Sequence, residues 1–122
     1  MPRFRRQEVS SQAVSSVEQG QVELRFSDVI LNLTRRGAAR GEAQLSLTLL
    51  EYELLAFLIH HPYQAFTRQR LRAEVWGEHG DEGQSNSVDV AIMGLRRKLE
   101  AGGKPRLIQT LRGYGYALRE DE

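Results

Sequence analysis

The sequence predicts an α+β fold: a small N-terminal antiparallel sheet, three helices and a C-terminal β-hairpin. Three observations predict it. Between Val22 and Leu47, "VELRF", "VILNLT" and "AQLSL" are short apolar or alternating runs broken by Ser-Asp, Arg-Arg-Gly and Arg-Gly, the texture of an antiparallel meander. Three stretches opening at Thr48, Thr67 and Ser85 to Ser87 repeat apolar residues at helical spacing. The closing "RLIQTLRGYGYALRE" holds two alternating runs around a glycine-flanked turn, a hairpin signature. A chain of 122 residues, 40% hydrophobic and 27% charged, is long enough for one domain with a real core and short for two.

Residues 1–21 combine Ser, Gln and Glu, and "SSQAVSSVEQGQ" has no sustained period, so this segment is expected to be a linker or disordered tail ahead of a domain spanning 22–120. Three or four strands follow, with the Gly-Ala-Ala run at Gly37 the weakest strand former among them. In "TLLEYELLAFLIHHP", Thr48 and Glu51 have capping-box spacing. Leu50, Leu54, Phe57 and Leu58 fall on one face, and Pro62 ends the helix. Thr67 caps "TRQRLRAEVWG", which turns Leu71, Val75 and Trp76 to one side before Gly77 stops it. After "GEHGDEGQ", a third helix capped by Ser85, Asn86 or Ser87 runs to about Ala101. Asp89 sits near its positive end, and Gly102, Gly103 and Pro105 close it.

The net charge is +1, but Arg96, Arg97, Lys98, Lys104, Arg106, Arg112 and Arg119 gather in the C-terminal part, with Glu100 the sole acid between Arg96 and Arg119. Such clustering is an electrostatic footprint for nucleic acid. The chain has no Cys, which excludes disulfides, thiolate metal sites and cysteine nucleophiles. No apolar run is long enough to span a bilayer, and a cytoplasmic protein without membrane attachment is expected. The adjacent His60 and His61 project in different directions, and His79, beside Glu78, Asp81 and Glu82, has no second histidine in its Gly-rich loop. With no phosphate-binding loop, dinucleotide fingerprint or nucleophile elbow, the expectation is a non-enzyme without metal or cofactor.

At about 100° per residue, Ala91, Ile92, Leu95 and Leu99 share one stripe of the third helix. Val90, Met93, Gly94 and Arg97, with Asn86, fall opposite. A mid-helix Gly costs about 1 kcal/mol relative to Ala, so Gly94 needs a reason. A helix, a turn, a basic amphipathic helix and a hairpin with Arg112 near its tip form, in that order, a winged helix-turn-helix. In that arrangement the last helix enters the major groove and the hairpin reaches the minor groove, whose negative potential suits arginine.

Four segments, "LTLLEYELLAFLIHHP", "FTRQRLRAEVWG", "SNSVDVAIMGLRRKLE" and "RLIQTLRGYGYAL", resemble in order and separation the effector domain of OmpR/PhoB-type response regulators, over roughly Val22 to Arg119. The resemblance implies a two-component transcriptional regulator that binds double-stranded promoter DNA sequence-specifically, with a recognition helix at about 86–101 and a wing at 106–119. It sets Asn86, Ser87, Val90, Ala91, Met93, Gly94 and Arg97 on or beside the recognition surface, with Val90 placed to meet a thymine methyl. Arg68, Trp76, Ser87, Arg96, Thr110 and Tyr116 fall at phosphate-contacting positions, and Arg112 is the wing arginine of the minor groove. The loop bearing Glu78, Asp81 and Glu82 corresponds to a segment that in the family contacts RNA polymerase.

The resemblance further implies a receiver domain in a parent protein, direct-repeat sites, a tandem dimer on DNA and a monomer in isolation. The residues before Val22 are too few for a receiver, so the chain is either an excised fragment or a stand-alone protein. Family members commonly carry Arg at one or both of the positions of Met93 and Gly94. Two readings of this departure stand: a lost base contact, or a glycine that lets the helix approach DNA more closely. The rival to DNA binding is a winged-helix protein-interaction module, for example toward RNA polymerase, with Val90, Met93 and Gly94 as the contact patch.

Overall fold

The computed structural model describes residues 14–18, 20–77 and 86–120. Five strands come first: β1 (Val14–Glu18), β2 (Gln21–Phe26), β3 (Val29–Asn32), β4 (Gly37–Arg40) and β5 (Ala43–Leu45). The helical layer interleaves α1 (Leu49–His60), the short strand β6 (Ala65–Thr67), α2 (Arg68–Leu71) and α3 (Ser87–Leu99). The strands β7 (Ile108–Leu111) and β8 (Gly115–Leu118) end the fold. Strands β1 to β5 form a meander in sequence order, and a second sheet has the order β6-β8-β7, antiparallel throughout.

The expected tail over residues 1–21 is corrected by the backbone. β1 pairs with β2 from Val14↔Arg25 to Glu18↔Gln21, so the sheet starts before the expected boundary at Val22. "VSSVE" escaped notice because Ser and Glu dilute its alternation, whereas the ladder of backbone hydrogen bonds does not require apolar side chains. Residues 1–13 of that tail lie outside the described residues. β4 forms despite its Gly-Ala-Ala composition because Ala38 is buried and pairs with Leu31 on one side and Leu45 on the other.

α1 begins as its sequence requires. Thr48 Oγ1 accepts from the Glu51 N–H at 3.1 Å, and Glu51 Oε1 accepts from the Thr48 N–H at 3.0 Å. Leu54, Leu55, Leu58 and Ile59 are fully buried, because the helix packs against both the meander and α3. Leu50, expected in that core, is exposed instead, since it lies in the first turn outside both contacts. Thr67 caps α2 through Oγ1 to the Arg70 N–H. The helix then widens into a π-helical turn (Arg72–Trp76) and stops at Gly77, whose φ is 67°.

The core runs continuously from Phe26, Val29 and Leu31 through α1 and Leu71 to Ile92, Leu95 and Leu99 of α3 and Ile108 and Leu118 of the wing. Each such side chain contributes about 1.5 to 3 kcal/mol by leaving water. Arg40 is the exception in kind, a cation only 2% exposed. Its Nε donates to Asp28 Oδ1 at 2.9 Å, while Nη1 donates to the carbonyls of Leu99 at 2.9 Å and Pro105 at 2.8 Å. The guanidinium thereby satisfies the end of α3, where carbonyls lack helical partners and positive charge is favoured, and fastens the meander to it.

Candidate nucleic-acid interface

α3 has three kinds of surface besides its buried stripe of Val88, Ile92, Leu95 and Leu99. The outward stripe carries Asn86, Val90, Met93 and Arg97, all exposed; Val90 and Met93 are 57% and 59% exposed. One flank holds Gly94 and Lys98 against the start of α1, and the other turns Asp89 and Arg96 toward α2 and the wing.

The first flank corrects the placement of Gly94. The residue is buried, and a Cβ built on it would collide with Glu51 Oε2. Glu51 has little freedom to retreat, because Oε1 closes the capping box and accepts from Lys98 Nζ at 2.6 Å. Burial by itself would raise the Glu51 pKa, yet Lys98 and the Thr48 N–H and hydroxyl together hold the carboxyl below its ordinary value. Gly94 is therefore where α3 touches α1.

On the second flank, one carboxylate oxygen joins three elements. Asp89 Oδ1 accepts from Arg68 Nε at 2.6 Å and from the Tyr116 hydroxyl at 2.6 Å. Burial would raise the Asp89 pKa, but the hydrogen bonds from Tyr116 and Arg68 carry it below the ordinary value. The same contact to Asp89 raises that of Arg68. Tyr116 is shifted up, first by burial and then by its bond to Asp89. The guanidinium carbons of Arg68 and Arg96 stand 5.2 and 5.5 Å from the Tyr116 ring centroid, within cation–π range.

Tyr116 is buried in β8, the middle strand of its sheet, where it pairs with Phe66 of β6. Gly115 allows this crossing, since a Cβ there would strike the Phe66 carbonyl. Arg96 is also committed: Nε and Nη2 donate to Ile108 O at 2.9 and 2.7 Å, and Nη2 donates to Thr110 Oγ1 at 2.6 Å. Thr110 is exposed but already holds this bond.

Arg68 keeps about half of its side chain in solvent, while Ala91 and Trp76 are half-buried, with Trp76 packed on the core. Ser87 lies at the first position of α3 with its Oγ buried and without a hydrogen-bond partner among the described residues. Arg112 is exposed in the turn between β7 and β8, which closes by Tyr114 N–H to Leu111 O at 2.8 Å with Gly113 at φ 75°. Glu78, Asp81 and Glu82 lie outside the described residues.

The organising roles of Glu51, Lys98 and Asp89 escaped the sequence reading. Glu51 and Asp89 were legible as helix-end acids, but no spacing rule connects them to Gly94 or Tyr116. Among the described residues, no cluster of three or more His, Asp or Glu is arranged to hold a metal. No helix there is long and apolar enough to cross a membrane.

A family model described as "Transcriptional regulatory protein, C terminal" matches residues 41–118. The response regulator MprA of Mycobacterium tuberculosis is 46% identical over 97 residues, covering 80% of this chain and 42% of MprA. MprA of Mycobacterium avium is likewise 46% identical, over 99 residues, covering 81% of this chain and 43% of that protein. The chain thus spans about two fifths of the length of these curated relatives.

Among solved structures, the DNA-binding domain of CpxR from E. coli superposes with a TM-score of 0.67 at 33% identity, covering 82% of this chain and 98% of that one. The AdeR DNA-binding domain, solved in complex with an intercistronic region, gives a TM-score of 0.69 at 27% identity, covering 79% and 97%. The Klebsiella pneumoniae RstA DNA-binding domain, solved in complex with the RstA box, gives 0.68 at 28% identity, covering 80% and 96%. The chain thus belongs to the transcriptional regulatory protein C-terminal family, as an OmpR/PhoB-type winged-helix effector domain.

Proposed function

We propose that the domain binds double-stranded promoter DNA by laying the outward stripe of α3 in the major groove and directing Arg112 of the wing toward the adjacent minor groove. The observation that carries this reading is the composition of that stripe. Asn86, Val90, Met93 and Arg97 are exposed together, while both flanks of α3 are fastened, by Glu51 on one side and by Asp89 and Arg96 on the other. A helix held on both sides presents its third face without paying ordering entropy on binding. Arg97 and Arg112 have no carboxylate partner among the described residues, so both are available to DNA.

Under this reading Arg68, Ser87, Trp76 and Thr110 border the phosphates, contacts that fix register without selecting sequence. The AdeR and RstA domains were solved with DNA, which supports the same use here. The length of the relatives supports a receiver domain in a longer parent protein. Tandem binding to direct repeats follows from the small area, about 600 to 1,000 Å², that one such module buries on DNA. Polymerase contact through the loop of Glu78, Asp81 and Glu82 and a cytoplasmic location complete the proposal, and no catalytic role is assigned.

Titration of labelled duplex at several salt concentrations tests it. Binding through phosphates predicts a log K that falls with log salt at a slope of about −0.9 per contact, and no binding at low salt contradicts the proposal. The exposed Val90 and Met93 also favour a second reading, docking to a protein, which predicts affinity for a protein partner that salt barely changes.

A further inference from the structure

α3 carries three consecutive cations, and two of them are turned away from its outward stripe. Arg96 is spent on Ile108 O and Thr110, and Lys98 on Glu51. Arg97 alone remains outward, and it stands in the last turn. The first two turns therefore present Asn86, Val90 and Met93 and no cation. Recognition helices set their N-terminal residues against base edges, so the base-reading end of this helix has one amide, two apolar side chains and no donor of the arginine type that pairs with guanine.

In the major groove the apolar group on offer is the C5 methyl of thymine. Val90 and Met93 are three residues apart, a rise of about 4.5 Å along the helix, with neighbouring Cβ atoms about 5 to 6 Å apart. Bases on one strand are spaced about 3.4 Å apart, so the two side chains match methyl groups one or two base steps apart. Asn86, one turn before Val90, is of the residue type that bonds adenine through N6 and N7. We infer that Met93 is a specificity-determining residue which, paired with Val90, reads the methyl groups of two thymines, so that the major-groove half-site is A·T-directed instead of guanine-directed. Gly94 takes no part, being turned to Glu51. The inference rests on the DNA-binding reading above.

Replacing thymine by uracil tests it, because uracil keeps every hydrogen-bonding group and lacks only the methyl. The 122-residue chain is used to enrich sites from a random duplex library, and each thymine of the enriched site is replaced in turn. The expected result is two positions, one or two steps apart, at which uracil weakens binding about fourfold each, the worth of one buried methyl group. Val90→Ala should erase the sensitivity at one position and Met93→Ala at the other, with thermal unfolding unchanged because both side chains are exposed. Equal binding of uracil and thymine at every position overturns the inference, as does Met93→Ala that leaves the uracil sensitivity intact at both positions. Failure of any duplex to bind in a salt-dependent way overturns the DNA-binding reading itself, and is recognised before any uracil is introduced.

Discussion

Gly94 of α3 lies so close to the Glu51 carboxylate of α1 that a Cβ on it would require that carboxylate to move. The contact explains a glycine that helix propensity disfavours by about 1 kcal/mol. Gly94→Ala should therefore destabilise the domain by roughly 1 kcal/mol, because Glu51 must leave its capping box or Lys98 to admit the methyl. In a Glu51→Ala background the same substitution should stabilise, as propensity alone then acts. Urea unfolding of the four variants measures this cycle. Equal effects of Gly94→Ala in both backgrounds would refute the contact as the reason for glycine.

Acid should loosen both flanks of α3 together. Glu51 and Asp89 have folded-state pKa values below their ordinary ones, so the stability they contribute is present above their unfolded values of about 4 and is lost as pH falls through the lower folded values. The urea midpoint should drop below about pH 4, and Glu51→Gln or Asp89→Asn should flatten that drop. A midpoint with the same acid dependence in both variants would show that neither carboxylate matters to it.

Arg40 fastens the meander to the end of α3 through two carbonyls. Arg40→Met keeps most of the volume and removes every donor, leaving the Leu99 and Pro105 carbonyls without that partner. A loss of about 2 to 3 kcal/mol in chemical denaturation is expected. Arg40→Lys should recover only part of it, since one ammonium cannot reproduce the planar fork.

At the wing, Arg112→Ala should weaken DNA binding most for sites whose flank is A·T-rich, where a narrow minor groove concentrates negative potential. Affinity measured on duplexes differing only in that flank checks this. Equal weakening on all flanks would reduce Arg112 to a phosphate contact.

What the sequence disclosed follows from how local each cause is. The Thr48–Glu51 box, the Thr67 cap and the hairpin turn rest on residues within a few positions of one another, so a linear reading finds them. β6, only three residues long, exists because the distant β8 pairs with it, while β1 pairs locally with β2 but its Ser and Glu hide the alternation. The helical wheel placed Val90, Met93 and Arg97 outward as observed, but it set Gly94 with them. Whether the edge of a stripe is covered depends on where α1 crosses, which periodicity does not encode. The burial of every residue of β8, Tyr116 included, was likewise not legible, because alternation allots one exposed face to a hairpin strand and does not show what packs over it.

The central claim is that the outward stripe of α3 meets the bases. Intermolecular nuclear Overhauser effects from the Met93 Cε and Val90 Cγ methyl groups, recorded on the domain bound to an enriched duplex, test it most directly. Cross-peaks from both to major-groove protons, thymine methyls among them, are predicted. Their absence in a saturated complex, with contacts arising instead from the exposed Leu49 and Leu50 at the start of α1, would contradict the account.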